Sequence, residues 1–186
     1  MTRPLWLGVA AGALALLAPV RAAAQALPNT PTVRMSDGDR MLRGFRDQVL
    51  LDTLAIWQDV PGSTGQVFAR VKQILNALKV PYTQRDSAQG MIWNEGFVTR
   101  GGQLAGGPNS TALRCGFGPT GDYADNWRVT VAYAVYIKPS DSGGSRLGIA
   151  VMGQAKDNAG ASTPGVFCAS KGRLESEVVR LLRDKT

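Results

Sequence analysis

The stretch "WRVTVAYAVYIK", Trp127 to Lys138, constrains the fold more than any other part of the chain. Trp127, Val129, Val131, Tyr133, Val135 and Ile137 fall on one side of an extended backbone. Arg128, Thr130, Ala132, Ala134, Tyr136 and Lys138 fall on the other. A period of two sustained this long is a strand pattern. The run "PSDSGGS" then turns the chain, and "RLGIAVMGQAK" answers with Leu147, Ile149 and Val151 on its own apolar side. The pair predicts a long β-hairpin.

Helical patterns flank the hairpin. Ser63 with Gln66 three residues on is a capping-box pair. Val67, Val71, Ile74, Leu75 and Leu78 follow on one stripe, Lys79 falls in the expected last turn, and Pro81 marks the stop. The spacing predicts a helix over 64–79. At the other end, "GRLESEVVRLLRDK" carries Leu174, Val178, Leu181 and Leu182 on one face. Glu175 and Glu177 lie early and Arg180, Arg183 and Lys185 late, which suits the helix dipole. That predicts a second helix over 173–185.

The remaining segments read as short strands and turns. "QVLLDTLAIWQ" is ambiguous: Leu42, Phe45, Val49, Thr53 and Ile56 sit near helical spacing, yet Val49–Trp57 is rich in strand formers. A strand over about 48–58 is the favoured reading. "PYTQRDSAQGMIWNEGFVT" reads as two strands around a turn at 86–90, and "TALRCGF" as another strand. The fold class is therefore α+β: an antiparallel sheet of about 5–6 strands with the helices 64–79 and 173–185 packed on one face.

The first residues bear on the compartment. "MTRPLWLGVAAGALALLAPVRAAAQA" has a basic start, an apolar run from Leu5 to Val20, and small residues at Ala22–Ala24. That is the layout of a secretory signal peptide over 1–24. A retained anchor is the alternative. Residues 25–47, rich in Pro and polar side chains, read as a flexible leader, and 48–186 as a single α+β domain. No later run is long enough to span a bilayer, so none is expected after cleavage. The expected location is the periplasm or the exterior.

The chain has no histidine. This excludes Ser-His-Asp and Cys-His mechanisms and His-ligated zinc. Two cysteines alone cannot complete a tetrahedral zinc site within one chain. Cys115 and Cys168 in an exported protein are most simply a disulfide, with a free redox thiol at Cys168 as the rival. The glycine-rich "RGGQLAGGPNS" lacks the Gly-Lys-Ser/Thr ending of a phosphate-binding loop and reads as a hairpin connection. No cofactor is expected.

"CASKG" approaches the Gly-x-Ser-x-Gly nucleophile elbow, but Cys168 replaces the first glycine and no histidine base exists. The structural reading is that Ser170 caps the last helix or its preceding turn, Gly172 relaxes the backbone, and Leu174 enters the core. Among the few carboxylates, Asp86 and Glu95 flank "MIW", and Asp122 and Asp125 lie in "GDYAD", read as a solvated turn.

Leu113-x-Cys115-Gly116 and Cys168-x-Ser170-x-Gly172-x-Leu174-Glu175, behind a signal peptide, resemble an uncharacterised class of exported bacterial α+β domains. The resemblance implies export and paired cysteines, and no activity. In element order the chain is also similar to the helix-grip domains of outer-membrane assembly lipoproteins, although it lacks their lipid-attachment cysteine.

The leading functional expectation is a non-enzymatic envelope module that binds a protein or other envelope component. The net positive charge specifies no nucleic acid or other partner by itself. The candidate contact surface is the uncharged strip Ala132, Ala134, Tyr136, Gly148, Ala150 and Met152 on the hairpin face away from the core. The competing reading of that strip is burial beneath the leader or a loop. A carrier of a small apolar ligand and a histidine-independent hydrolase are the alternative functions.

Overall fold

A computed structural model of the chain describes residues 53–157 and 165–184. The signal peptide read over 1–24, the leader over 25–47, and the 48–52 part of the first strand reading lie outside the described residues. The elements are β1 (Ile56–Val60), α1 (Thr64–Ala77), β2 (Gln84–Asp86), β3 (Met91–Val98), β4 (Gln103–Leu104), β5 (Gly107–Pro108) and α2 (Asn109–Ala112). They continue with β6 (Leu113–Arg114), β7 (Phe117–Gly118), β8 (Gly121–Asp122), α3 (Tyr123–Asn126), β9 (Arg128–Pro139), β10 (Ser145–Lys156), β11 (Val166–Ser170) and α4 (Arg173–Arg183).

The fold is α+β. The alternating stretch is β9, and it pairs with β10 along its whole length, from Ser145 opposite Pro139 to Lys156 opposite Arg128. Around this hairpin grows a seven-stranded antiparallel sheet, ordered β2-β3-β9-β10-β11-β6. The other edge of β10 is shared. Its first half pairs with β1 (Ile56 opposite Ile149, Val60 opposite Ser145), and its second half pairs with β11. The sheet thus has one strand more than the upper figure expected from sequence.

The capping box that opens α1 is present: Ser63 Oγ accepts from the Gln66 N–H and Gln66 Oε1 accepts from the Ser63 N–H. Val67, Val71, Ile74 and Leu75 are buried from this helix. It ends at Ala77, before Lys79. Lys79 adopts a left-handed φ of 57°, its N–H donates to Asn76 O, and the Val80 N–H donates to Leu75 O. That bond pair is the helix-terminating motif usually built on glycine. Lys79 therefore lies past the helix rather than in its last turn, which holds no basic residue.

α4 buries Leu174, Val178, Val179 and Leu182. Both long helices share one core with the inward residues of the hairpin, Val129, Val131, Tyr133, Val135, Ile137, Leu147, Ile149 and Val151. The Arg70 guanidinium also donates to Leu181 O at 3.2 Å, joining α1 to α4.

Three local expectations are corrected. Within the described part of the first strand reading, the strand begins only at Ile56 and runs to Val60, with Thr53 and Leu54 in a helical turn just before it. "TALRCGF" is mostly not a strand: Thr111 and Ala112 belong to α2, where the Thr111 hydroxyl donates to Pro108 O, and only Leu113–Arg114 pair with β11. "GDYAD" is not a free turn. Asp122 Oδ1 accepts from the Ala124 N–H to cap α3, and Asp125 Oδ1 accepts from the Ser110 N–H. Fully buried Asn109 ties this region together, donating through Nδ2 to Thr99 Oγ1 and Ala124 O.

Candidate functional site

Cys115 and Cys168 are joined, with their Cα atoms 4.1 Å apart and a separation of 53 positions in sequence. Cys168 is in β11 opposite Gly153 of β10, and Cys115 follows β6. The bridge therefore staples the strand entering α4 to the segment after β6. Both cysteines are buried in the core, which is consistent with a structural role.

The residues that follow Cys168 each have a physical reason. Gly172 is the N-cap of α4 and has φ 81°, a conformation that favours glycine. Leu174 is buried. Ser170 does not cap the helix directly. Its Oγ accepts from the Gly172 N–H at 3.0 Å and donates to Glu175 Oε1 at 2.6 Å. Glu175 is only 2% exposed, and its Oε2 has no hydrogen-bond partner among the described residues. Burial pushes the Glu175 pKa up; the Ser170 bond and a backbone bond oppose this in part.

A serine touching a buried carboxylate raises the question of catalysis. Three neighbouring amides are already committed. The Lys171 N–H donates to Ala112 O, the Gly172 N–H to Ser170 itself, and the Ser176 N–H to Gly172 O. Lys171 Nζ donates to Ser110 O at 2.8 Å, a bond that directs its side chain toward the α2 segment. Acyl transfer requires free donors aimed at a developing oxyanion, and the Lys171, Gly172 and Ser176 amides each donate within this corner instead. The arrangement closes a strand-to-helix corner. Sequence reasoning missed Glu175 as the partner of Ser170 because the two are five residues apart and meet only through the left-handed Gly172.

Three of the carboxylates singled out from sequence, Asp86, Asp122 and Asp125, have structural duties. Asp86 Oδ1 accepts from the Ala88 and Gln89 N–H groups and shapes the turn between β2 and β3. Asp122 and Asp125 act as the caps described above. Glu95 sits in β3 near the register shift between Asn94 and Phe97.

The strip on the outer face of the hairpin is a second apolar cluster. Ala132, Ala134, Ala150 and Met152 are buried with Met91, and half-buried Ala55, Trp93 and Tyr136 pack against them. Gly148 is also buried. A Cβ built there would lie 2.6 Å from the Trp57 ring, so the glycine seats that indole against the sheet. Tyr136 meets Trp57 edge-on with centroids 6.1 Å apart, and Lys138 Nζ lies 4.7 Å from the indole centroid. The strip is closed in this structure, with aromatic rings at its rim.

The most exposed large apolar side chain among the described residues is Phe117, at 78%. The local fold explains why. Gly116 and Gly118 lie over the Tyr123 ring, which stacks on Trp127 at 4.0 Å between centroids. Alternation along β7 then turns Phe117 away from that support. Phe167, 37% exposed, is turned outward beside buried Cys168 in the same manner. Two phenyl rings thus stand within two residues of the bridged cysteines. Composition offered no signal for this; it depends on which face each short strand presents. Among the described residues, no helix is long and apolar enough to cross a membrane. The chain matches no protein-family model and no curated protein.

Proposed function

We propose that the chain is an exported envelope module that acts by binding a protein or other envelope component rather than by catalysis. The carrying observation is Phe117, held 78% exposed on a hairpin that is backed by the Tyr123–Trp127 stack and follows directly from the disulfide. A rigid exposed aromatic loses little conformational freedom on association, which makes it an efficient anchor. Phe167, beside the other bridged cysteine, adds a second apolar group. Export agrees with the presence of the bridge.

The test is capture of partners from the native envelope fraction by the mature chain and by Phe117→Ser. The expected outcome is a component held by the wild type and lost in the variant, with an unchanged melting temperature. Identical capture by both would remove Phe117 from the reading. Ester or peptide hydrolysis abolished by Ser170→Ala would replace binding with catalysis.

A further inference from the structure

We propose that the open end of the outer sheet face rests against an anionic lipid surface. Register places its residues. Phe167 of β11 lies opposite Gln154 of β10, Gln154 opposite Thr130 of β9, and Thr130 opposite Val98 of β3. These four side chains form one row across the sheet, on the face that carries Ala132 and Ala134. The alanine centre is closed, but this row is open, with Phe167 and Val98 exposed at its two ends. The next row outward holds Lys156 opposite Arg128, both exposed. On the other side of Phe167, exposed Arg114 of β6 lies opposite exposed Ala169.

Charge selects the partner. Like charges directly opposite each other on one face of a sheet repel, and the hairpin carries two such pairs. At its turn end Lys138 is opposite Arg146. Both lie by the Trp57 ring, at 4.7 and 5.7 Å from its centroid, and Asp59 is opposite Arg146. Arg128 and Lys156 have no such compensation. Among the described residues, neither they nor Arg114 make a side-chain ion pair, hydrogen bond or ring contact. The nearest acids along these strands, Glu95 and Asp157, carry contacts of their own. An external anionic partner supplies the missing counter-charge. One small anion would meet Arg128 and Lys156 but not the apolar row, whose ends are about 14 Å apart at the ordinary strand spacing. A lipid headgroup layer meets both: its phosphates face the cations, and the apolar side chains enter the boundary beneath. The inference does not rest on Phe117 and needs no partner there.

Flotation of the mature chain with phosphatidylcholine vesicles, with and without phosphatidylglycerol, tests this. Binding should require phosphatidylglycerol. A cation at an anionic lipid surface is worth about fivefold in affinity, so Arg128→Gln with Lys156→Gln should weaken binding about 25-fold. Lys79 and Arg85 are exposed cations elsewhere, one after α1 and the other opposite core Ile92. Lys79→Gln with Arg85→Gln makes the same change in net charge and should weaken binding less than about threefold. Phe167→Ser should weaken it several-fold and Phe117→Ser should not, all with unchanged melting temperatures. Equal binding to both vesicle types, equal losses from the two charge pairs, or binding indifferent to Phe167→Ser would each overturn the proposal. Binding to polyglutamate without binding to vesicles would also overturn it, assigning the cations to an acidic polypeptide.

Discussion

Gly153 stands opposite Cys168 across the β10–β11 pair, where a side chain would be tightly crowded. A Cβ built on Gly153 would lie 3.2 Å from the Cys168 Cβ, 3.3 Å from Leu113 Cδ1 and 3.3 Å from Thr130 O. One neighbour is a bridged cysteine and another is backbone, so neither yields easily. Gly153→Ala should cost about 1–3 kcal/mol by overpacking, and Gly153→Val more. Urea unfolding of the oxidised proteins measures this; an unchanged midpoint for the alanine variant would show that the strands separate freely here.

The bridge itself should act chiefly on the unfolded chain. Closing a loop across a separation of 53 residues is worth about 4 kcal/mol in the chain-entropy account. Replacing both cysteines by alanine should lower stability by an amount of that order while leaving the far-ultraviolet dichroism native. Intact mass of the wild type should rise by about two hydrogens on reduction. Two alkylatable thiols in unreduced, denatured protein would contradict the pairing.

What the sequence revealed follows from the range of the interactions involved. β9 and β10 were legible because a period of two persists along both, and α1 because Ser63 and Gln66 are neighbours in sequence. The Cys115–Cys168 pairing was accessible by elimination, there being two cysteines and an inferred oxidising compartment. The glycine-rich hairpin over 103–108 was read correctly, but the stretch 111–125 was misread because the order around it comes from non-local polar bonds: Asn109 to Thr99 and Ala124, and Asp125 to Ser110. No local pattern encodes such bonds. The outer strip was ambiguous for a similar reason. Small uncharged residues suit both an open contact and a covered face, and only the observed burial separates the two.

Glu175 makes stability depend on pH in the sense opposite to a salt-bridged carboxylate. Burial raises its pKa in the folded chain above the unfolded value, so the folded state holds its proton more tightly. Below the unfolded value both states are protonated and the group carries no charge penalty. As pH rises through the ordinary carboxylate range and on through the raised folded value, the penalty grows, and above that value it is fully present. Glu175→Gln cannot ionise and keeps an acceptor for Ser170. The variant should gain on the order of 1 kcal/mol at neutral pH. The gain should vanish in acid, below the unfolded carboxylate pKa. Denaturation midpoints measured from acid to neutral pH would show the two curves converging at the acid end; parallel curves would mean that Glu175 is solvated.

Ala134 tests whether the second cluster is interior. It is 0% exposed, in the middle of β9, between Trp93 of β3 and Ala150 of β10 in the register. On an open face, Ala134→Glu would change stability by no more than about 0.5 kcal/mol. Within a closed apolar layer the carboxylate must lose its water without gaining a partner, a penalty of several kcal/mol. The observed burial therefore predicts a loss of about 4 kcal/mol or more, with poor export or proteolysis in the cell. Ala134→Gly separates charge from packing, since removing one methyl from the strand should cost only about 1 kcal/mol. A glutamate variant with a wild-type melting temperature would mean that the face opens readily to solvent. The alanine strip would then be a contact surface after all, with its covering displaced at little cost.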